Sequence, residues 1–330
     1  MRKLYFLLPG TDSKFACGGL FAELKTLSIA QTICDAEVVT YRQREADKLF
    51  LDDVIKQQNL NNVIFVLSWG FDVAKLAPKL KFYNTLYHAH SAGYGFKLPA
   101  SVPIITVSRN TMGYWGQLSP NSLIYYLPNQ ISDEFTNLNV NRDIDVLVQV
   151  RKSSEYLIKH LVPALQVKCN VFVVDSFVKD LTSLFNRAKV YLYDSAEYWA
   201  LQGVSEGFGL QPLEAMACGC HVFSSINSGL SDFLDPGFNC HKIAGYSKEY
   251  DVQRILRIVS NSQPFNLPND FLAEYRLKNI TKRLQVILDE LNEFFDHKQR
   301  YPSNIPDFNQ IRLTQLKFQQ ILSKIKKKVK

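Results

Sequence analysis

Short runs rich in apolar residues recur along the chain, separated by polar, glycine-bearing or proline-bearing breaks. In the first half these are Leu4 to Leu8, Glu37 to Tyr41, Val63 to Leu67, Thr85 to Tyr87, Pro103 to Arg109 and Ile124 to Leu127. In the second half they are Val146 to Val150, Val171 to Val174, Val190 to Tyr193 and His221 to Ser224. Those apolar at every position, Leu4 to Leu8 and Val63 to Leu67 among them, fit parallel strands covered on both faces. Between them, Leu20, Phe21, Leu24, Leu27 and Ile29 recur at close to a helical period, and Leu181, Leu184 and Phe185 predict another helix. A polar helical stretch is expected to reach Gln58. Asn137 to Arg142, with Asn at 137, 139 and 141, is polar in character and reads as a linker. The same order of strand, loop and helix on both sides of it predicts an α/β protein of two Rossmann-like domains. The expected division is residues 1–136, a linker 137–142, a second domain 143–297 and a tail 298–330.

The densest chemistry lies in Ser205 to Cys220, SEGFGLQPLEAMACGC. Gly207 and Gly209 allow the backbone to approach a bound group, and the loop then tips into a helix. Pro212 suits the first helical turn and Gly219 a left-handed terminator. A helix N-terminus offers unpaired N–H groups to an anion. Glu206 and Glu214 would repel a phosphate, but carboxylates accept hydrogen bonds from hydroxyls. A nucleotide sugar supplies both kinds of partner along one elongated ligand.

Strand ends carry the other candidates, because ligands of open parallel sheets gather at the carboxyl ends of strands. Gly18-Gly19 follows the first strand outside any G-x-G-x-x-G pattern, which argues against a dinucleotide; a plain strand-to-helix turn and a phosphate-side loop both fit. His88 and His90 alternate onto one side after Thr85 to Tyr87. With no third ligand at a telling spacing, no metal is expected, and His90, further out, is the better substrate contact. Arg151-Lys152 follows Val146 to Val150 and can neutralise a departing diphosphate; an exposed basic loop is the plainer alternative. Asp143-Ile144-Asp145 precedes its strand and reads as a solvated link rather than a metal-binding acid pair.

Composition narrows the classes. The 330 residues carry a net charge of +7, with 46% hydrophobic and 21% charged residues. Residues 298–330 hold nine Lys or Arg and one acid, so the body is near neutral and nucleic acid is not an expected partner. Six cysteines without a C-x-x-C pair read as reduced thiols of a cytoplasmic protein, and no apolar run spans a bilayer. In the tail, Ile311, Phe318, Ile321, Leu322, Ile325 and Val329 share one side of a helix whose other sides carry lysines. That helix can lie on the inner face of an anionic membrane or pack across the first domain.

The string EGFGLQPLEAMACG resembles the E-x7-E donor signature of the retaining glycosyltransferases of family four, whose GT-B fold faces two Rossmann-like domains across a cleft. The likeness extends more thinly over residues 1 to 290. It implies transfer of a sugar from a nucleotide diphosphate sugar, a co-substrate rather than a cofactor, to a hydroxyl on a glycan or lipid-linked acceptor. Under it, Glu206 meets the transferred sugar, Glu214 the donor ribose, and the backbone of Phe208, Gly209 and Leu210 the sugar hydroxyls or diphosphate. Gly18 and Gly19 lie beside the phosphates and acceptor, His90 contacts the sugar, Arg151 and Lys152 balance the leaving group, and Ser176-Phe177-Val178 borders the base. The chain departs from the family at Gln130, where glycine is usual, and at Val150, also usually glycine. A nucleotide-sugar epimerase of the same fold and a non-catalytic sugar-nucleotide or glycan-binding protein are the other functions compatible with these residues.

Overall fold

The computed structural model describes residues 1–328 apart from 58, 177, 262 and 307. The apolar runs become two parallel sheets. The first contains β1 (Lys3–Leu8), β2 (Ala36–Thr40), β3 (Leu49–Phe50), β4 (Val63–Leu67), β5 (Asn84–Ala89), β6 (Ile104–Thr106) and β7 (Ile124–Tyr126), in the order β3-β2-β1-β4-β5-β6-β7. The second contains β8 (Ile144–Gln149), β9 (Val171–Val174), β10 (Ala188–Tyr193), β11 (His221–Ser224) and β12 (His241–Lys242), in the order β12-β11-β10-β8-β9. In each sheet the order reverses direction beside the first strand, which opens a crevice at the carboxyl ends there.

Burial on both faces explains why the first run is apolar at every position. Leu4, Phe6 and Leu8 face one core with Val38, Ile64 and Val66, while Tyr5 and Leu7 face another with Phe65, Val73 and Trp115. Strands β3 and β12 have two residues each and no sequence pattern announced them. The helical stretch expected before Gln58 is instead β3 and the short helix Leu51–Val54, and Gln58 itself lies outside the described residues.

The helix Leu277–Arg300 falls in the stretch assigned by sequence to the second domain and the start of the tail, yet it packs on the first domain. Its buried positions Ile280, Leu284, Ile287, Leu288, Leu291 and Phe295 recur every three to four residues and join the core of Leu4, Phe6 and Ile64. Arg2 secures its far end through Asp296, at 2.6 Å. This helix therefore fills the place across the first domain that the tail could have taken. The tail helix Gln310–Lys328 leaves Ile311, Phe318, Ile321, Leu322 and Ile325 exposed; Val329 lies outside the described residues.

The linker is tethered rather than free. Arg142 donates to the Cys218 carbonyl at 2.6 Å and the Phe185 carbonyl at 3.2 Å. Asp143 and Asp145 of the D-x-D string pair with Arg187 at 2.5 Å and Lys189 at 2.7 Å.

Candidate active site

The two domains meet at a narrow seam beside an open cavity of about 510 Å³. At the seam, Ser91 Oγ donates to the Ser205 carbonyl at 2.6 Å, the Ala92 amide donates to Ser205 Oγ at 2.9 Å, and the Ser205 amide donates to the Ala92 carbonyl at 3.0 Å. A side chain at Gly207 would overlap the His90 carbonyl oxygen and stand 2.7 Å from its carbon, so only glycine permits this approach. A second strut comes from Asp232, whose carboxylate accepts from the amides of Arg109 and Asn110 (3.2 Å) at the start of the helix Arg109–Leu118.

Ten of the residues singled out in the sequence line this cavity: Gly18, Gly19, His90, Arg151, Lys152, Glu206, Phe208, Gly209, Leu210 and Glu214. Ser176 and Val178 are not among its lining residues, and Phe177 lies outside the described ones.

The loop and helix form as the sequence chemistry requires. Gly209 caps the helix Leu210–Ala217 at φ +83°, a conformation that side chains disfavour. At the other end Gly219 has φ +85°, with Gly219 N–H bonded to Met216 O and Cys220 N–H to Ala215 O, both at 3.0 Å. That is a Schellman terminator. The Phe208 ring is buried against Phe233 and Tyr275, which pins the loop from beneath.

The two acids are held very differently. Glu206 Oε2 accepts from the Tyr193 hydroxyl and from Trp199 Nε1, both at 2.6 Å, and its Oε1 lies 3.8 Å from Lys152 Nζ. Glu214, 6% exposed, has no hydrogen-bond partner among the described residues and faces the cavity. Burial pushes its carboxyl up to about 7, opposed only in part by the charge of Lys25 across the cleft. An unpartnered carboxyl in that state is ready to accept from a ligand's hydroxyls, which would favour its ionised form.

Cations and space complete the arrangement. Arg151 is exposed into the cleft without an ion pair among the described residues. Lys152 is held at φ +68° and lies 4.4 Å from the centre of the Trp199 ring. Gly18 and Gly19 open the helix Gly18–Ala30. A Cβ at Gly18 would meet nothing within 4 Å and one at Gly19 only Cys17 Sγ at 3.9 Å, so protein packing does not demand glycine at either position.

His90 follows β5 and lines the cavity, whereas His88 is buried within β5 and does not. Both rings bond one oxygen of a residue the sequence reading missed. Glu23 Oε2 lies 2.6 Å from His88 Nδ1 and 2.7 Å from His90 Nε2. The three side chains offer ligand-type atoms within 4.8 Å of one another, so a third such group does accompany the histidines. The signal was a single acid inside the otherwise apolar opening of a helix, GGLFAELKTLSIA. Tyr193 and Trp199, which grip Glu206, were likewise missed, because each reads as an ordinary core or surface aromatic residue.

Residues 130–275 match the glycosyl transferases group 1 family. That match covers the second domain and less than half of the chain. No curated protein matches the chain by sequence. Solved structures similar to it include Anabaena HepE (Alr3699) in complex with UDP and glucose, 14% identical, with a TM-score of 0.61 over 88% of this chain and 100% of that one. Sucrose-phosphate synthase from Thermosynechococcus elongatus is 15% identical, with a TM-score of 0.54 over 91% of this chain and 98% of that one. A glycosyltransferase from Rickettsia africae is 12% identical, with a TM-score of 0.56 over 91% and 99%. At such identities the likeness establishes the GT-B fold. With the domain match, it makes the chain a glycosyltransferase enzyme of GT-B architecture.

Proposed function

We propose that the enzyme moves a hexosyl or related group from a nucleoside diphosphate sugar to a hydroxyl of a glycan or lipid-linked acceptor, with retention and without a metal. The observation that carries this reading is the convergence on one interdomain cavity of two buried acids, one of them unpartnered, with Arg151 and Lys152 beside them. Glu214 accepts from the ribose hydroxyls and Glu206, oriented by Tyr193 and Trp199, from the hexose. His90 reaches the hexose from the opposite domain. The diphosphate lies toward Gly18, Gly19 and the loop Phe208–Leu210, where open space and helix N–H groups receive it. Arg151 and Lys152 stabilise charge that grows on the departing phosphate, a preorganised electrostatic contribution of the kind that dominates many catalysed transfers. Side-chain cations filling this role support metal independence, and the family likeness of the E-x7-E string supports retention. HepE, solved with UDP and glucose, supports a uridine nucleotide as the first donor to try.

The exposed apolar stripe of the helix Gln310–Lys328, flanked by Arg312, Lys317 and Lys324, supports peripheral attachment to an anionic membrane. No helix among the described residues is long and apolar enough to cross one. The donor reading is tested by a thermal-shift panel of nucleotide sugars, since a ligand that favours the folded state raises its melting point. Incubation of the stabilising donor with and without candidate acceptors then separates transfer from epimerisation, which needs no acceptor. Absence of any stabilising donor refutes the proposal. Co-sedimentation with phosphatidylserine vesicles, comparing the full chain with one ending at Tyr301, tests attachment; equal pelleting refutes it.

A further inference from the structure

We propose that Glu23 is a positioning residue that locks His90 in one tautomer, so that the ring presents a bare Nδ1 to a sugar hydroxyl and acts only as an acceptor. The inference rests on the donor-site reading above for its ligand, but not for its geometry. Glu23 is 1% exposed and reaches β5 from the helix Gly18–Ala30. A carboxylate can only accept. Each ring nitrogen that faces Oε2 must therefore carry its hydrogen: Nδ1 of His88 and Nε2 of His90. Although burial pushes the Glu23 carboxyl up, the two imidazoles prevail and hold it at about 2, so it stays an acceptor at neutral pH. Burial, reinforced by neighbouring His88, moves His90 toward its neutral form. A neutral ring with hydrogen on Nε2 has a lone pair on Nδ1. Nδ1 of His90 has no partner among the described residues, and the residue lines the cavity.

The same cluster invites a metal reading, and distance decides against it. Two ligand atoms that share a tetrahedral zinc at bonds of about 2.0–2.1 Å stand roughly 3.3 Å apart. The observed separations of 2.6 and 2.7 Å are those of charge-assisted hydrogen bonds. The buried atoms Glu23 Oε1 and His88 Nε2 have no hydrogen-bond partners among the described residues.

The lock is tested on the full chain labelled with ¹⁵N-histidine. Long-range proton–nitrogen correlation at pH 7.5 should show His90 neutral with hydrogen on Nε2, and Glu23→Gln should shift that pattern, because an amide can donate to Nε2 and drive hydrogen to Nδ1. Calorimetry should show Glu23→Gln weakening uridine diphosphate glucose by roughly tenfold while leaving uridine diphosphate unchanged, since only the former carries the hexose. Glu23→Asp should restore part of the loss. Hydrogen on Nδ1 or a fully protonated His90 in the natural protein would overturn the proposal, as would equal weakening of both nucleotides or stoichiometric zinc retention abolished by Glu23→Gln. The tautomer measurement needs neither donor nor variant, so it still decides the matter if the proposed activity fails or the variants do not fold.

Discussion

Glu214→Gln separates the stability and binding consequences of one carboxyl. Burial lifts this group from an ordinary 4.5 to about 7. The folded state therefore binds a proton more tightly than the unfolded one. The stability it contributes is present in full below pH 4.5 and is lost as pH rises through 7. At about 1.4 kcal/mol per unit, the shift amounts to about 3 kcal/mol across that window. Glutamine carries no such proton, so the melting temperatures of the two proteins should diverge with pH, the variant gaining by several degrees between pH 4.5 and 8. Donor binding should move the other way. Ribose hydroxyls favour the ionised carboxylate, and hydrogen bonds to charged groups contribute about 1.5–3 kcal/mol, so the variant should lose between tenfold and a hundredfold in donor affinity. In the natural protein donor affinity should fall up to tenfold for each unit of pH below 7, with release of a proton on binding. Differential scanning fluorimetry over pH and calorimetry in two buffers of different ionisation enthalpy measure both. Parallel melting curves for the two proteins would refute the account of Glu214 as an unpaired buried acid, and unchanged donor affinity would refute its ribose role.

The remaining expectations concern the seam and the cations. Gly207→Ala places a carbon against the His90 carbonyl and forces the domains apart; donor affinity or turnover should drop by about a hundredfold while each domain stays folded, and a variant with full activity would contradict the close approach. Asp232→Ala removes the acceptor for the Arg109 and Asn110 amides, and hydrogen exchange there should accelerate in step with a loss of about 1 kcal/mol; unchanged protection would show the strut to be idle. Lys152→Gly suits the φ of +68° and removes a cation, so it should spare or raise the melting temperature yet lower kcat; an unchanged kcat would take Lys152 out of the leaving-group role.

What the sequence made legible follows from burial. Strands β1 and β4 are covered on both faces, so their apolar runs Leu4 to Leu8 and Val63 to Leu67 are unbroken and unambiguous. The loop before Leu210–Ala217 was legible because glycine and proline at fixed offsets have few other uses. By contrast, Leu277–Arg300 and Gln310–Lys328 both carry apolar stripes, and periodicity alone cannot say which one finds a surface. The geometry decides, through Arg2 gripping Asp296 and Phe295 entering the core. Glu23 was hidden for another reason: its partners stand 65 and 67 residues away, and pairing across such a distance leaves no spacing to read.

The seam brings together groups that each domain already holds in place. Glu206 is held by Tyr193 and Trp199 from its own domain, so its orientation survives opening of the cleft. His90 is likewise fixed by Glu23 within the first domain. Each half thus arrives with the group proposed to face the sugar already set, and closure at Ser91 and Ser205 has only to bring the two together. Glu214 differs, since no described protein group hydrogen-bonds it and Lys25 from the other domain only partly offsets its burial. Under the donor reading proposed above, a ligand that supplies hydroxyls to this raised carboxyl should both complete the site and stabilise the closed protein.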